Sequence, residues 1–320
     1  IEMSIVKTHT GKIYVDRDKR LEFLTVGDYG KENNIKADFL GLTKEINGVN
    51  HHDVDLSEKW VATISTQKGC PMRCAFCDCP SYGFYGNVSA EEMAYEIKTI
   101  LEGENVKHTK RFNVHFARMG EPSFNPNVLT FAQNLLIPLV KQHVAADTIH
   151  PVVSTMMPNG NPNLENFLKK WCAIKNGLYK GEAGLQFSIN STNDEQRKIQ
   201  FGGRSHSLTE ISEIAAKLPA PLGRKYTLNF AVTADTELDP VRLSNLFDKD
   251  RFIVKITPIH QTRNAIENGF NVGDTYTDYN VYRDFERPLV AAGWDVIVFV
   301  PSKEEDSDRI TCGNALIATK

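Results

Sequence analysis

The sequence contains no run approaching the roughly 20 consecutive apolar residues that a membrane-spanning helix needs. The stretch from Ile1 to Arg20 is charged throughout and lacks the apolar segment of a secretory signal. Internal repeats and low-complexity runs are missing as well. From these absences we expect no membrane association and, by default, a cytoplasmic location.

Charge of one sign is not in excess either. The formal net charge of −3 at pH 7 gives no global attraction to phosphate backbones. Of the 320 residues, 41% are hydrophobic and 24% are charged, which is typical of a globular protein with a substantial core. The length fits one large domain, or one domain with appendages.

Cysteine is scarce outside one short segment. Four of the six cysteines lie within ten residues and two stand apart, at positions Cys70, Cys74, Cys77 and Cys79, then Cys172 and Cys312. A disulfide framework spreads its cysteines more widely, in a shorter exported chain. The tight cluster therefore favours metal binding.

From Trp60 onward, short β-rich runs alternate with amphipathic segments. The predicted strands are 60–65, 112–117, 151–154, 185–189, 226–232, 252–257 and 296–300. The predicted helices are 90–101, 127–144, 163–175, 208–217, 240–246 and 278–292. Helix starts are marked by the capping box of Ser89 and Glu92, by Ser207, and by Asp239 before Pro240.

This alternation predicts an α/β fold with a parallel sheet and right-handed crossovers. About six units predict a partial (β/α)6 barrel, with ligands at the carboxyl ends of its strands. Residues 1–58 predict a small N-terminal β-hairpin extension, with strands at 12–15 and 21–26 and a connector at 47–59. The core domain is expected over 59–320.

Cys70, Cys74 and Cys77 have the spacing C-x3-C-x2-C and follow the first predicted strand of the core. Three thiolates on one loop can bind three irons of a [4Fe–4S] cluster and leave the fourth iron without a protein ligand. The amino and carboxylate groups of S-adenosylmethionine (SAM) can chelate such an iron, which then passes an electron to the sulfonium. Two alternatives remain: a four-thiolate structural site completed by Cys79, and unliganded buried cysteines. No second Cys or His pair follows downstream.

The motif and its surroundings resemble the radical SAM superfamily, in particular the class A RNA methyltransferases of the RlmN/Cfr family. The resemblance covers roughly residues 55–320. Its motifs, in chain order, are Ser65-Thr-Gln-Lys-Gly-Cys70, Met119-Gly-Glu-Pro122 with Asn125, Val153-Ser-Thr155, Phe187-Ser-Ile-Asn190, and Asp306-x5-Cys312-Gly-x-Ala-Leu316.

The resemblance implies two cofactors, a [4Fe–4S] cluster on Cys70, Cys74 and Cys77, and SAM. Gly120 and Glu121 would bind the amino group of SAM, for which a carboxylate is a suitable partner. Further SAM contacts would come from the ends of later strands, namely Ser154, Ser188, Ile189, Asn190 and, where the family has an asparagine, His260.

Cys312 would be the catalytic methyl carrier. In the family, the matching cysteine takes a methyl group from one SAM, and a second SAM yields the radical that removes hydrogen from this S-methyl group. The resulting carbon radical adds to an sp2 carbon. The resemblance thus implies a C-methyltransferase with an electron donor such as flavodoxin or ferredoxin. Its substrate would be an adenine in RNA, or a smaller metabolite or peptide.

Two other functions remain open. A radical SAM enzyme could abstract hydrogen from its substrate directly, with Cys312 idle. A non-enzymatic iron–sulfur or zinc protein is the third hypothesis.

The sequence departs from the family at Thr63, where the family has a second cysteine that resolves the protein–substrate adduct. A hydroxyl group cannot act as a thiolate or form a disulfide. Either Cys79 or Cys172 would replace it, or the adduct resolves differently. The roughly 55 residues before the core also do not supply the helical RNA-binding domain of RlmN. Basic clusters at 107–111 and at Arg197-Lys198 with Arg204 are candidate phosphate contacts.

Overall fold

The computed structural model describes residues 3–27, 54–270, 273 and 275–319, together with the backbone of 45–46 and 49–50. Ten strands of this described part form one sheet in the order β1-β2-β3-β6-β9-β10-β11-β12-β13-β14. Their bounds are β1 Ser4–Lys7, β2 Gly11–Asp16, β3 Leu21–Val26, β6 Trp60–Thr63, β9 His108–Phe116, β10 Ala145–Thr155, β11 Gly184–Ser188, β12 Tyr226–Val232, β13 Phe252–Pro258 and β14 Val296–Val298. Two small antiparallel pairs complete the strands, β4 Glu45–Ile46 with β5 Val49–Asn50, and β7 Gln67–Gly69 with β8 Phe84–Asn87.

The seven strands from β6 to β14 in this sheet are all parallel and follow one another in chain order. Every predicted core strand is present, so the expected α/β class with a mostly parallel sheet is confirmed. Strands β9 and β10 begin earlier than predicted, at His108 and Ala145. Most of their first residues are exposed or half-buried, so these residues lack the apolar pattern from which a strand is predicted.

The helices lie where the amphipathic segments predict them, with four short additions. Their bounds are α1 Cys79–Tyr82, α2 Ala90–Glu102, α3 Asn127–Thr130, α4 Leu136–His143, α5 Leu164–Gly177, α6 Asp194–Gln200, α7 Leu208–Ala216, α8 Pro240–Leu246, α9 Arg263–Glu267, α10 Asn280–Ala291 and α11 Lys303–Ser307. A π-helical turn, Phe131–Leu135, divides the predicted 127–144 helix into α3 and α4. The unpredicted α1, α6, α9 and α11 are too short to show a helical period.

Helix starts follow the capping signals read from the sequence. Ser89 and Ser207 form complete capping boxes with Glu92 and Glu210. Asp239 accepts hydrogen bonds from the first backbone N–H groups of α8. The start signals are confirmed.

The two faces of the parallel sheet differ in polarity. One face carries buried apolar side chains, such as Phe116, Phe187 and Ile256, that join the main hydrophobic core with the helices. Residues directly opposite each other in a parallel sheet share a face. The opposite, polar face carries Thr63, His115, Ser154, Gln186, Ser188, Asn229 and Lys255 at paired positions.

Strands β2 and β3 overlap the hairpin strands predicted at 12–15 and 21–26, and they belong to the same sheet as the core, whereas the assignment of residues 1–58 as a separate extension stays a prediction. Strands β2 and β3 pair antiparallel, and β3 pairs antiparallel with β6. Within the predicted connector at 47–59, residues 47–48 and 51–53 lie outside the described residues. The domain boundary at 58/59 stays a prediction. Among the described helices, none has the length and apolar character needed to cross a membrane.

Candidate active site

The cysteine loop is closed at its base by the β7–β8 pair. The Cys70 N–H donates to Gly83 O at 2.9 Å. Gly69 has a φ of 82°, and a Cβ there would lie 1.9 Å from Gly83 O. Only glycine therefore allows this crossing, which fixes where Cys70 leaves the strand.

A segment far along the chain holds the middle of the loop. The Thr262 hydroxyl donates to Phe76 O at 2.8 Å, and the Asn264 side chain donates to Cys77 O at 2.7 Å. Asn268 donates to Ala75 O at 2.9 Å. These residues cap, begin or follow α9. Nothing in their sequence pattern marks them as partners of the cysteine loop, so sequence reasoning missed them.

The three predicted cluster thiols lie close together with two further site residues. Burial raises the pKa of Cys70 and Cys74, and the neighbouring Cys77 raises both further. Glu121 and Cys312 also raise the pKa of Cys74. Free thiolates are disfavoured in such a pocket, whereas bound iron supplies compensating positive charge. The donor set therefore fits an iron–sulfur cluster.

Cys79 lies next to the loop but faces the protein interior. Its thiol donates to Arg118 O at 3.3 Å and packs in an apolar cluster with Ile13 and Val15. A hydrogen bond with Cys79 lowers the pKa of Cys77. Across the described residues, no three His, Cys, Asp or Glu side chains converge as ligands of one metal ion. A cubane cluster does not require this convergence, because each of its irons takes its own cysteine.

Gly120 and Glu121 follow β9 at the carboxyl edge of the sheet. Gly120 has a φ of 101°, and a Cβ there would lie 2.6 Å from Gln67 Cβ. The Glu121 carboxylate accepts hydrogen bonds from Ser123 N at 3.1 Å and from Met156 N at 3.0 Å. Burial nevertheless raises its pKa. A buried carboxylate held in this way fits an ammonium group.

Ser154 and Ser188 lie at the carboxyl ends of β10 and β11, on the polar face. Ser154 Oγ accepts a hydrogen bond from Gln186 Nε2 at 3.3 Å. The Ile189 side chain lies instead in the hydrophobic core, and its N–H donates to Asn229 O at 2.8 Å. A contact of Ile189 with SAM would therefore come from its backbone and not from its side chain.

Asn190 and His260 occupy equivalent places after β11 and β13. Asn190 has a φ of 62°, and its side chain accepts from Ala231 N at 3.1 Å. His260 Nδ1 lies 3.0 Å from the Tyr276 hydroxyl. Burial lowers the pKa of His260, while Asp306 opposes that shift.

Cys312 reaches the same edge of the sheet from the C-terminal segment. Its thiol is solvent accessible and lies 3.5 Å from Ala117 O, directly after β9. Its pKa is raised to about 11, mainly by burial in the surrounding protein and then by Cys77, against the lowering effect of Arg118 and Lys255. The thiol is therefore protonated near neutral pH and opens into a protein-lined space.

Asp306 organises the turn that carries Cys312. Its carboxylate accepts from Thr311 Oγ1 at 2.6 Å, Asn314 Nδ2 at 2.9 Å and Gln261 N at 2.7 Å. Asp306 appeared in the sequence motif, but this positioning role was not predicted.

A buried ion pair attaches the same segment to the N-terminal hairpin. Arg118 Nε donates to Glu22 at 2.8 Å, and both side chains are at most 1% exposed. The Glu22 carboxylate also accepts from Leu316 N at 2.9 Å and Ile317 N at 2.6 Å. The hairpin thereby helps to position the segment that holds Cys312.

The proposed substitutes for a second cysteine differ in location. Thr63 lies on the polar face opposite His115. Cys172 is fully buried in the core on α5, whereas Cys79 adjoins the cluster loop. Of Cys79 and Cys172, Cys79 therefore lies near the site and Cys172 does not.

Of the basic clusters, Arg197 is wrong as a phosphate contact. Its guanidinium is 2% exposed and donates to the carbonyls of Ser188 and Ile189 and to Ser205 Oγ. It stabilises the segment after β11 instead. Arg204 lines a cavity of about 330 Å³ beside the loop, together with Met72. At 107–111, Lys110 pairs with Glu58 at 2.7 Å.

Comparison with known proteins agrees with the motifs. The dual-specificity RNA methyltransferase RlmN of Campylobacter hominis is 26% identical over 176 residues, covering 55% of this chain and 46% of that protein. RlmN of Sorangium cellulosum is 26% identical over 260 residues, covering 79% of this chain and 61% of that protein. The matches thus span about half to three fifths of these relatives. No protein-family profile matches the chain.

A solved structure shows the same fold. It is a radical SAM methyltransferase from Sphaerobacter thermophilus, with a TM-score of 0.62 and 16% identity, covering 98% of this chain and 81% of that one. The chain therefore has a mixed α/β fold, with a mostly parallel sheet, similar to that of a radical SAM methyltransferase. In sequence it is similar to the RlmN-type radical SAM methyltransferases, which confirms the resemblance that its motifs indicate.

Proposed function

We propose that this protein is a radical SAM C-methyltransferase that uses Cys312 as its methyl carrier. The observation that carries the proposal is the position of Cys312 beside the cysteine loop: the Asp78 N–H donates to Gly313 O at 2.9 Å, and a Cβ at Gly313 would lie 3.6 Å from Cys77 Cα. The cysteine loop and the segment that holds Cys312 are far apart in sequence but meet at one edge of the sheet. The loop would supply the cluster thiols, and Cys312 would supply the thiol that carries the methyl group.

Cys70, Cys74 and Cys77 would hold a [4Fe–4S] cluster, and SAM would bind beside it. When bound, these groups supply an electron, a transferable methyl group and a 5′-deoxyadenosyl radical. Glu121 would bind the SAM ammonium group, and its two backbone hydrogen bonds keep the carboxylate aimed. Ser154, the Ser188–Asn190 segment and His260 would make the remaining contacts.

The chain's own contribution to methyl transfer is the position and protonation of Cys312. Sγ would lose its thiol proton to solvent, to which Cys312 is exposed, and form a bond to the methyl carbon as the bond from that carbon to the sulfonium breaks, with S-adenosylhomocysteine as the leaving group. The raised pKa keeps this thiol neutral until a methyl donor with positive charge adjoins it. Asp306, Glu22 and Arg118 would hold the turn in place.

The test is mass spectrometry of Cys312 after anaerobic incubation with SAM. We expect an added methyl group on Cys312, and none on Cys172 in the same sample. An unmodified Cys312 would exclude the carrier role.

Direct hydrogen abstraction from the substrate is the second candidate, favoured by Thr63 in place of the second cysteine. The Cys312→Ala variant separates the two functions. Under the carrier mechanism it still cleaves SAM to 5′-deoxyadenosine and methionine but transfers no methyl group. Substrate turnover that survives in this variant supports direct abstraction.

Several finer features belong to the same proposal. The parallel strands would curve into a partial (β/α)6 barrel, with residues 1–58 as its extension. RNA is the substrate class named for the relatives, and a smaller metabolite or peptide is the alternative. A flavodoxin or ferredoxin as electron donor and a cytoplasmic location stay predictions.

A further inference from the structure

The polar face of the sheet contains side chains that the proposed cofactor contacts do not use. Asn229 and Lys255 lie directly opposite each other on β12 and β13, while His115 and Gln186 lie on β9 and β11. His115, Gln186 and Lys255 keep partial solvent exposure in the middle of a sheet whose other face is buried. We call the part of the polar face formed by these four residues the recess; it lies beside the proposed SAM contact Ser188.

Lys255 is a cation without a counter-charge among the described residues. Its ammonium group makes no hydrogen bond or ion pair there, and it lies 5.2 Å from the ring centre of Phe299. Its pKa is lowered to about 8, mainly by burial and then by the charges of Lys59 and Arg224. An uncompensated charge in such surroundings is costly unless a ligand of opposite sign neutralises it.

His115 lies among the same cations. Its pKa is lowered to about 3, mainly by burial and then by the charges of Lys255, Lys59, Arg224 and Arg111. The imidazole is therefore neutral at physiological pH, and its N–H can donate to an anion. The electrostatic surroundings of the recess favour a negatively charged ligand.

Two buried amides supply an independent observation. Asn229 Oδ1 and Asn113 Nδ2 have no hydrogen-bond partner among the described residues, although the two side chains are only 9% and 3% exposed. Asn113 lies on the same face of β9 as His115. Buried polar atoms are nearly always paired, so these two atoms indicate partners supplied by a ligand. Asn113 Nδ2 is a donor and can bind an oxyanion, whereas Asn229 Oδ1 is an acceptor and needs a hydroxyl or N–H group of the ligand.

We propose that the recess binds the substrate, and that this substrate is a small molecule ending in a carboxylate or phosphate group. Lys255 holds this group with His115 beside it, while Asn229 accepts a hydrogen bond from a donor group of the same molecule. The inference rests on the proposed function and names its substrate class. Lys255 lies three residues before the carboxyl end of β13, and Cys312 reaches the same carboxyl edge of the sheet, so a short molecule anchored at Lys255 and directed toward that edge would bring its reacting carbon toward the Cys312 sulfur.

A terminal oxyanion fits this position better than an RNA strand. A phosphodiester lies within its chain, so nucleotides on both sides would have to enter the recess with it. A terminal carboxylate or phosphate is joined to the rest of its molecule on one side only, and that remaining part would point toward the carboxyl edge of the sheet. The further cations Lys59 and Arg224 lie one residue before β6 and two residues before β12, at the end of the strands opposite the cysteine loop.

The test measures binding of two probes, inorganic phosphate and malonate, by isothermal titration calorimetry. The protein is the anaerobically reconstituted full chain with SAM. We expect at least one probe to bind, and Lys255→Met to weaken this binding at least about tenfold through loss of a charge-assisted contact. Lys255→Arg should retain binding within about threefold, because it keeps the charge. Binding of phosphate alone or malonate alone identifies which oxyanion the recess accepts.

Lys217→Met is the matched control, since Lys217 is an exposed lysine paired with Glu165 at 2.9 Å. It should bind the probes as the wild type does. The proposal is overturned if neither probe binds the wild type, or if Lys217→Met weakens binding as much as Lys255→Met. Displacement of a bound probe by a single-stranded RNA oligonucleotide would overturn the small-molecule assignment.

SAM cleavage to 5′-deoxyadenosine, measured on the same samples, keeps the two proposals separate. Cleavage by both wild type and Lys255→Met shows an intact cofactor site, so lost probe binding then belongs to the recess. A wild type that binds a probe through Lys255 but never cleaves SAM would refute the proposed function and leave the recess standing.

Discussion

Removal of the buried charge at Glu22 should destabilise the protein strongly and release the segment that holds Cys312. Glu22 and Arg118 are 0% and 1% exposed, and the carboxylate accepts from two backbone N–H groups besides the guanidinium. Glu22→Gln keeps the shape of the side chain but leaves the Arg118 charge uncompensated. Breaking a buried pair in this way costs about 3–5 kcal/mol. That is a large fraction of the roughly 5–15 kcal/mol by which proteins are stable.

The assay is urea unfolding under anaerobic conditions, followed by tryptophan fluorescence and analysed by linear extrapolation. Glu58→Gln is the control, because the Glu58–Lys110 pair has side chains that are 47% and 60% exposed. It should cost less than about 1 kcal/mol. Limited proteolysis should cut the Glu22→Gln variant within residues 309–319 sooner than the wild type. Equal unfolding free energies for Glu22→Gln and Glu58→Gln would refute the reasoning.

Three further predictions concern other parts of the fold. Burial raises the pKa of Glu96, so the stabilising effect of this side chain is full below pH 4.5 and is lost as pH rises toward the raised value. The stability of Glu96→Gln relative to the wild type should therefore be greater at pH 8.5 than at pH 5. An equal shift of the urea midpoint at the two pH values would contradict this. Gly120→Ala should cost about 1–3 kcal/mol through its positive φ and weaken SAM binding in calorimetry, whereas Gly160→Ala, with no atom within 4 Å of the new Cβ, should change neither. Asp306→Asn removes acceptors from buried donors at about 1–3 kcal/mol, so Cys312 should react faster with iodoacetamide in peptide mass spectrometry; an unchanged rate would argue against its positioning role.

The sequence predicted the sheet well, because its signals are local. Strands such as Tyr226–Val232 are runs of β-branched and aromatic residues, and helices such as Pro240–Leu246 begin with explicit caps. The short helices α6 and α9 escaped because fewer than two turns cannot display an apolar period. The parallel order followed from the alternation of strands and helices.

The site was predictable only where a motif names it. The cysteine loop and Glu121 stand in recognisable motifs, whereas Thr262, Asn264 and Glu22 contribute through contacts with residues far along the chain. Arg197 shows the converse error, since a basic residue in a charged segment proved to be buried and bonded to carbonyls. Tertiary burial of a charge has no local signature.

The most direct test of the central claim compares the iron content of two cysteine variants after anaerobic reconstitution. We predict that Cys79→Ala keeps four irons per chain and cleaves SAM, because its thiol faces Arg118 O and the apolar interior. Cys77→Ala should lose the cluster and the cleavage together. Loss of the cluster in Cys79→Ala, or an intact cluster with SAM cleavage in Cys77→Ala, would contradict a cluster held by Cys70, Cys74 and Cys77 with one iron open to SAM.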